Sequence, residues 1–120
     1  MAQGACECGA VQFAVSADLT PVVACHCGQC RRQTGQYWMS TEAPKDRVAV
    51  SGAENETWYQ SSGKAKRGFC SKCGSALFWD HDDETILSIS VGALKEPTGI
   101  KLSEHIFVAD KGDYYDISDG

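Results

Sequence analysis

The sequence lacks any long hydrophobic run, and its first residues, MAQGACECGAVQF, contain no cationic stretch followed by an apolar one. Secretory signal peptides and membrane anchors both need such a run. We therefore expect a cytoplasmic protein without a membrane partner. Structural disulfides are rare in a reducing compartment, so the seven cysteines are expected to bind metal or to take part in catalysis.

Positive charge is also scarce. The chain has 11 Lys and Arg residues against 16 Asp and Glu residues, which gives a formal net charge of −5 at pH 7. Proteins that bind nucleic acids or anionic membranes usually present a basic face. The charge balance therefore argues against nucleic acid as a partner.

Low-complexity segments, internal repeats and linkers are missing as well. The chain has 120 residues, of which 42% are hydrophobic and 22% are charged. This length and this composition are typical of one globular domain. We predict a single domain over residues 1–120.

Apolar and polar residues alternate along several short segments that are bounded by turn residues. In residues 11–16, the side chains of Val11, Phe13 and Val15 fall on one face, as in a half-buried strand. Residues 48–50 and 87–91 repeat this pattern, and Gly28–Thr34 is predicted to form one helical turn. These segments predict a mainly β domain. Its further predicted strands are Val22–Cys25, Tyr37–Ser40, Thr57–Gln60, Ala76–Trp79 and His105–Ala109.

The cysteines form three groups, and each group has a spacing that suits a metal ion. An extended C-x-C places two thiolates on one face, and C-x-x-C folds into a tight knuckle. A glycine lies close to each group, at Gly9, Gly28 and Gly74. A left-handed turn there would let backbone N–H groups donate to sulfur. The groups are Cys6 and Cys8, then Cys25, Cys27 and Cys30, then Cys70 and Cys73.

Seven thiolates divide into a set of four and a set of three. Zinc takes four ligands in a closed structural site, whereas a catalytic zinc keeps one position open. The simplest partition joins Cys6 and Cys8 to Cys70 and Cys73 in a structural site. The metal there is expected to contribute roughly 10–16 kcal/mol, which is comparable with the net stability of a domain.

The Cys25–Cys30 group is expected to hold a second zinc with an open position for water, a thiolate or a carbonyl oxygen. The alternative is a second structural zinc that His81, His105 or an acidic residue completes. His26 is not expected to be a ligand, because its ring would lie on the opposite face from the cysteines that flank it.

Basic residues flank both predicted sites. Arg31 and Arg32 follow the second cysteine group, while Lys64, Lys66 and Arg67 precede the last pair. Guanidinium groups bind carboxylates through paired hydrogen bonds. We therefore predict that Arg31 and Arg32 bind a small anionic substrate. The alternative for both sets is an exposed, solvated surface.

The order of these motifs resembles the glutathione-dependent formaldehyde-activating enzyme family, which includes the centromere protein V type. The similar segments are C-E-C-G, C-H-C-G-Q-C-R, F-C-S-K-C-G-S-A-L and H-I-F-V, and the resemblance extends from Gly4 to about Ile117. It implies an Mss4-like fold of twisted antiparallel sheets that zinc stabilises.

The resemblance also implies an activity and a ligand assignment. The implied activity is that of a carbon–sulfur lyase, in which glutathione thiolate adds to formaldehyde to give S-hydroxymethylglutathione, or the adduct is cleaved. Cys27 is implied to leave the metal when substrate arrives. The implied ligands are Cys6, Cys8, Cys70 and Cys73 for the structural zinc and Cys25, Cys27 and Cys30 for the catalytic zinc.

Two other functions stay open on the sequence. A non-catalytic, zinc-stabilised module that binds thiols or a protein partner would have two inert sites and an exposed apolar patch. A nucleic-acid-binding zinc ribbon would need a basic face, and the charge balance places it third.

Overall fold

Short β-strands dominate the computed structural model, which describes residues 2–118. One α-helix, α1 at Gly28–Thr34, interrupts them, so the predicted mainly β class is confirmed. The ten strands within these residues are β1 Ala2–Ala5, β2 Gln12–Val15, β3 Val22–Cys25, β4 Trp38–Pro44, β5 Val48–Ser51, β6 Glu56–Gln60, β7 Ala65–Cys70, β8 Ala76–His81, β9 Ile86–Ser90 and β10 Leu102–Ile106.

The strands form two sheets. The smaller sheet has the order β1-β2-β5, and the larger sheet has the order β10-β3-β4-β9-β8-β7-β6. Neighbouring strands are antiparallel except for β10 and β3, which are parallel and align Ile106 with Cys25. Strand β3 therefore lies between a parallel and an antiparallel neighbour where it delivers Cys25.

The core lies where the two sheets face each other. Val11, Phe13 and Val15 are all buried, as their alternation predicts. The ring of Phe13 packs edge-on against that of Phe78 from the larger sheet, with 5.2 Å between the centroids. Full burial of such a side chain contributes about 1.5–3 kcal/mol. This contact therefore helps to hold the sheets together.

Strand β9 is covered on both faces. Leu87 and Ile89 are buried as predicted, but Ser88 is buried too. Its hydroxyl accepts a hydrogen bond of 3.0 Å from the indole N–H of Trp38, which satisfies two polar groups that burial would otherwise leave unpaired. A central strand of a sheet can bury a serine when a neighbouring strand supplies such a donor on the same face.

Helix α1 begins and ends with recognisable caps. The Cys27 side chain is the N-cap and accepts a hydrogen bond from the backbone N–H of Cys30, while Gly35 adopts a left-handed φ of 88° at the C-cap. The segment forms an α-helix of 7 residues rather than a single turn.

Within residues 2–118, no helix has the length and apolar character needed to span a bilayer.

Several strands differ from the prediction. β1 and β7 were not expected, β4 and β8 run past their predicted ends to Pro44 and His81, and β10 spans Leu102–Ile106 instead of His105–Ala109. β10 stops because Phe107 turns into the left-handed region with φ 55°. The alternation of apolar residues did not predict β7, because charged residues precede the last cysteine pair. One of them, Lys66, places its ammonium group 4.5 Å from the Trp58 ring centroid.

Candidate metal centres

Two hairpin turns bring four cysteines together. Cys6 and Cys8 lie between β1 and β2, and Cys70 and Cys73 lie at the turn between β7 and β8. All four sulfur atoms lie within 4.8 Å of one another. The smaller sheet supplies one pair and the larger sheet supplies the other, so this cluster joins the two sheets.

The sulfur spacing suits a tetrahedral zinc ion. The Sγ atoms of Cys6 and Cys8 are 3.7 Å apart, and those of Cys8 and Cys70 are 3.8 Å apart. Four sulfurs at the usual Zn–S distance of about 2.3 Å would be about 3.8 Å from one another. Cys6 and Cys70 are buried, and no fifth donor belongs to the group among the described residues. This cluster is closed.

Backbone geometry around the closed cluster directs N–H groups at sulfur. Gly9 and Gly74 take φ values of 81° and 79°, so both turns use the left-handed conformation that the sequence predicts. The prediction was wrong for Gly28, which is the first residue of α1 and therefore has ordinary helical geometry. The capping role falls instead to the thiol of Cys27.

Hydrogen-bond donors lie at three of the four sulfurs of the closed cluster, whereas contacts with the other cysteines, together with burial, raise the pKa of Cys8 to about 11. The N–H of Val11 donates to Cys6 Sγ at 3.3 Å, and that of Lys72 donates to Cys70 Sγ at 3.4 Å. The Ser75 hydroxyl, 3.2 Å from Cys73 Sγ, lowers the pKa of the Cys73 thiol to about 6. A metal ligand must be a thiolate, so these donors prepare the cluster for a cation.

The remaining cysteines meet where β3 runs into α1. Cys25 ends the strand, Cys27 caps the helix and Cys30 lies in its first turn. Their sulfur atoms lie within 4.8 Å of one another. Cys30 is only 3% exposed, whereas Cys25 and Cys27 are half-buried. Three thiolates at this spacing also suit zinc, with one position of the tetrahedron left over.

A cavity of about 590 Å³ opens at this three-cysteine cluster. A larger cavity of about 700 Å³, between α1 and the turn at Gly74, has no cysteine or histidine in its lining, so the chemistry points to the smaller one. The side chains around the smaller cavity combine the three cysteines with five aromatic or aliphatic residues and seven polar or charged residues. They are Thr20, Val23, Cys25, Cys27, Gln29, Cys30, Trp38, Ser40, Glu42, Arg67, Trp79, Ser88, Glu104, Ile106 and Phe107.

In the three-cysteine cluster without a metal, the pKa values of Cys25 and Cys30 are shifted in opposite directions. Hydrogen bonding from the Cys30 thiol lowers the pKa of Cys25. The same contact, together with burial, raises the pKa of Cys30, although the guanidinium of Arg67 opposes this. Cys25 is therefore the better thiolate before any cation binds.

The histidines lie outside the donor clusters. His26 is fully buried, with Nδ1 at 2.5 Å from the Tyr115 hydroxyl and Nε2 at 2.8 Å from Nδ1 of His105. Nδ1 of His81 accepts a hydrogen bond from the backbone N–H of Asp83. None of the three joins either group of donor atoms among residues 2–118. The structure thus gives no histidine to complete the three-cysteine cluster.

The predicted arginine pair does not line the cavity. Arg31 and Arg32 both lie on α1, where Arg31 is half-buried and Arg32 is exposed. Neither belongs to the cavity lining given above. Their role in substrate binding stays a prediction.

The structure places Arg67 elsewhere than the sequence predicts. It was expected beside the four-cysteine site or on a solvated surface, but it is only 7% exposed and lies against the three-cysteine cluster. Its Nη2 donates to Cys30 Sγ at 3.3 Å. The signal that could have found it is the alternation of Ala65 and Arg67 with Lys66, because both buried residues share one face of β7.

Comparisons with known proteins give a family match and a structure with a similar fold. The sequence profile of the family described as glutathione-dependent formaldehyde-activating enzyme matches residues 1–110. A protein of Rhodobacter sphaeroides with a crystal structure is 26% identical and superposes with a TM-score of 0.68, over 84% of this chain and 99% of that one.

Two curated relatives carry informative names. A Halomonas elongata protein, named provisionally as a glutathione-dependent formaldehyde-activating enzyme, is 37% identical over 63% of this chain and 54% of its own length. The chain thus spans about half of that relative. A Schizosaccharomyces pombe protein, named an uncharacterised lyase, is 27% identical over 97% of this chain and 85% of its own length. With the family profile matching nearly all of its described residues, the chain belongs to the glutathione-dependent formaldehyde-activating enzyme family.

Proposed function

We propose that this protein is a zinc-dependent carbon–sulfur lyase that acts on glutathione or a related thiol. A structural zinc would be held by Cys6, Cys8, Cys70 and Cys73, and a second zinc by Cys25, Cys27 and Cys30. The observation that carries the proposal is the position of the three-cysteine cluster at the wall of a cavity of about 590 Å³. No cysteine of the closed cluster lines either of the two cavities described above.

The proposed reaction joins a thiol to an aldehyde. The sulfur of glutathione forms a bond to the carbon of formaldehyde, the C=O π bond breaks, and the thiol proton ends on the new hydroxyl of S-hydroxymethylglutathione. A zinc ion at the three cysteines would supply Lewis acidity and favour the thiolate form of the substrate. The reverse reaction cleaves the same carbon–sulfur bond.

The residues of the chain bind and orient the reactants. Trp38 and Trp79 give the cavity apolar walls that exclude water from the reacting groups. Phe107 lies at the cavity, is 60% exposed and has the left-handed φ of 55°. A phenylalanine in this conformation costs on the order of 1–3 kcal/mol. We propose that its ring gains a partner when a thiol substrate enters.

The proposed setting is a reducing compartment such as the cytoplasm. All seven cysteines are free thiols in the described structure, and they must stay reduced to act as metal ligands. Such a compartment also holds small anionic thiols, which are the proposed substrates.

A non-catalytic module that binds thiols or a protein is the second candidate. The observation in its favour is the edge strand β6, where Trp58 and Tyr59 are 36% and 51% exposed. An edge strand with exposed aromatic side chains is a feature of surfaces that bind partners, although these two neighbours in sequence lie on opposite faces of the strand. In that case both cysteine clusters would only stabilise the fold.

Exchange NMR on ¹³C-formaldehyde and glutathione separates the two candidates. We expect the zinc-loaded wild type to accelerate formation of the adduct at least about tenfold over buffer, a conservative threshold for enzymatic catalysis. Cys25→Ala is expected to return the rate to that of buffer, while Lys72→Ala, on the exposed turn of the other cluster, retains it. A wild type that carries both metals and does not exceed the buffer rate would overturn the lyase proposal.

A further inference from the structure

Arg67 is a buried cation whose guanidinium lies against the three-cysteine cluster. Its Nε and Nη2 donate to Gln29 Oε1 at 3.1 and 3.0 Å, and Nη2 also donates to Cys30 Sγ at 3.3 Å. The guanidinium carbon lies 5.9 Å from the centroid of a Trp38 ring. Gln29 and Trp38 therefore hold the guanidinium in one place at the cavity wall.

No carboxylate neutralises this cation. The ion pairs among residues 2–118 are Lys45 with Asp80 and Lys64 with Asp83, so Arg67 has no acidic partner within 4.0 Å there. Burying a cation without a counter-ion is costly. The group of the cluster that Arg67 does contact is the sulfur of Cys30, which would be a thiolate as a metal ligand.

Charge counting shows what Arg67 does for the site. Three thiolates carry −3 and a divalent ion carries +2, which leaves −1 at the cluster, and the guanidinium brings the sum to zero. A thiolate substrate would add another negative charge. The acidic residues at the cavity, Glu42 and Glu104, would repel it. Arg67 is the one cation among the described residues that line this cavity.

We propose that Arg67 is the residue that admits an anion to this cavity. Its positive charge lets a thiolate approach three cysteine sulfurs and two glutamates, and it thereby selects anionic ligands over neutral ones. The inference rests on the proposed function, since it assumes the metal held by Cys25, Cys27 and Cys30. It assigns Arg67 to substrate binding.

The test compares anionic and neutral probes on cobalt-loaded protein, because the absorption bands of cobalt(II) report each ligand without turnover. Glutathione and azide are the anions, and imidazole at pH 8 is the neutral probe. We expect Arg67→Gln to weaken both anions about 10–100-fold and to change imidazole affinity less than about twofold. Arg47→Gln, which removes an exposed cation that donates to the Ser16 carbonyl, is the control and should match wild type.

A second variant keeps the test valid if the buried substitution prevents folding. Gln29 is exposed, so Gln29→Glu is compatible with the fold, although it gives up the hydrogen bond from the amide to the Ser61 carbonyl, and it gives Arg67 a carboxylate partner. The guanidinium stays in place while its charge is cancelled. We expect anion affinity to fall about 3–30-fold, with imidazole again nearly unchanged.

The outcomes separate the inference from the proposed function. Azide binding that depends on Arg67, without binding of glutathione, would uphold the inference and contradict the thiol substrate. Anion affinities that equal wild type in both Arg67→Gln and Gln29→Glu would overturn the inference. So would equal losses of anion and imidazole affinity, because Arg67 would then only support the structure. A wild type that binds neither anion would overturn both proposals.

Discussion

The two cysteine clusters use the same donor atom for different ends. The closed cluster draws its cysteines from positions 6 to 73 and connects two sheets, whereas the three-cysteine cluster draws all its cysteines from residues 25–30. The closed cluster has four sulfurs, and the three-cysteine cluster has three that face a cavity. The difference teaches that long-range ligands stabilise the fold, while a local set leaves room for chemistry.

The chain positions of the ligands explain this division. A metal held by two distant hairpins closes a long loop, which removes entropy from the unfolded chain. A metal held by one β3–α1 connection closes a loop of only a few residues and adds little in this way. The second metal is therefore expected to be dispensable for folding.

The largest effect on stability is expected from a substitution that breaks the closed cluster. Cys70→Ala removes a fully buried sulfur, and we expect the variant to lose its cooperative thermal unfolding transition. The loss of a structural zinc site, at roughly 10–16 kcal/mol, exceeds or equals the net stability of a small domain. Circular dichroism against temperature measures the effect.

The control for this experiment lies on the same turn. Lys72 is exposed, and only its backbone N–H contacts the Cys70 sulfur, so Lys72→Ala should keep the wild-type Tm within about 2 °C. A Cys70→Ala protein that unfolds cooperatively at the wild-type Tm would contradict a structural role for the closed cluster.

A smaller effect is expected at Glu56, which pairs with Cys70 across β6 and β7. Burial raises the pKa of this carboxyl above its usual 4.5, and Oε2 has no hydrogen-bond partner among the described residues. The native state therefore keeps a proton that the unfolded state has released, and stability falls as pH rises through that window. Glu56→Gln should raise Tm at pH 7 by roughly 1–3 °C.

The pH dependence distinguishes burial from other causes. The gain from Glu56→Gln should vanish below about pH 4, where the carboxyl is protonated in both states. Glu54→Gln, at an exposed position nearby, should show no gain at either pH. A Glu56→Gln gain that is equal at pH 4 and pH 7 would contradict this account of the side chain.

Much of the fold followed from local patterns in the sequence. The alternation of Val11, Phe13 and Val15 predicted their burial, and Val22–Cys25 and Gly28–Thr34 have the bounds that their composition suggested. The grouping of cysteines into four and three also followed, because zinc takes four ligands in a closed site and three protein ligands in an open one.

The rest depended on contacts that no local pattern contains. Arg67 is separated from Cys30 by 37 residues, and only the pairing of strands places its guanidinium at that sulfur. The turn at Phe107 could not be read either, since a left-handed phenylalanine contradicts the usual preference of that residue. The lining of the cavity is therefore a property of the folded chain.

The most direct test of the account is the zinc content of wild type and Cys27→Ala, measured by elemental analysis together with thermal unfolding. Cys27→Ser serves as the matched variant, since a serine can replace the thiol as N-cap of α1. The account predicts about two zinc ions per chain in wild type and about one in both variants, which stay folded. A single zinc ion in all three proteins, or unfolding of both variants, would contradict the division into a closed structural site and an open one.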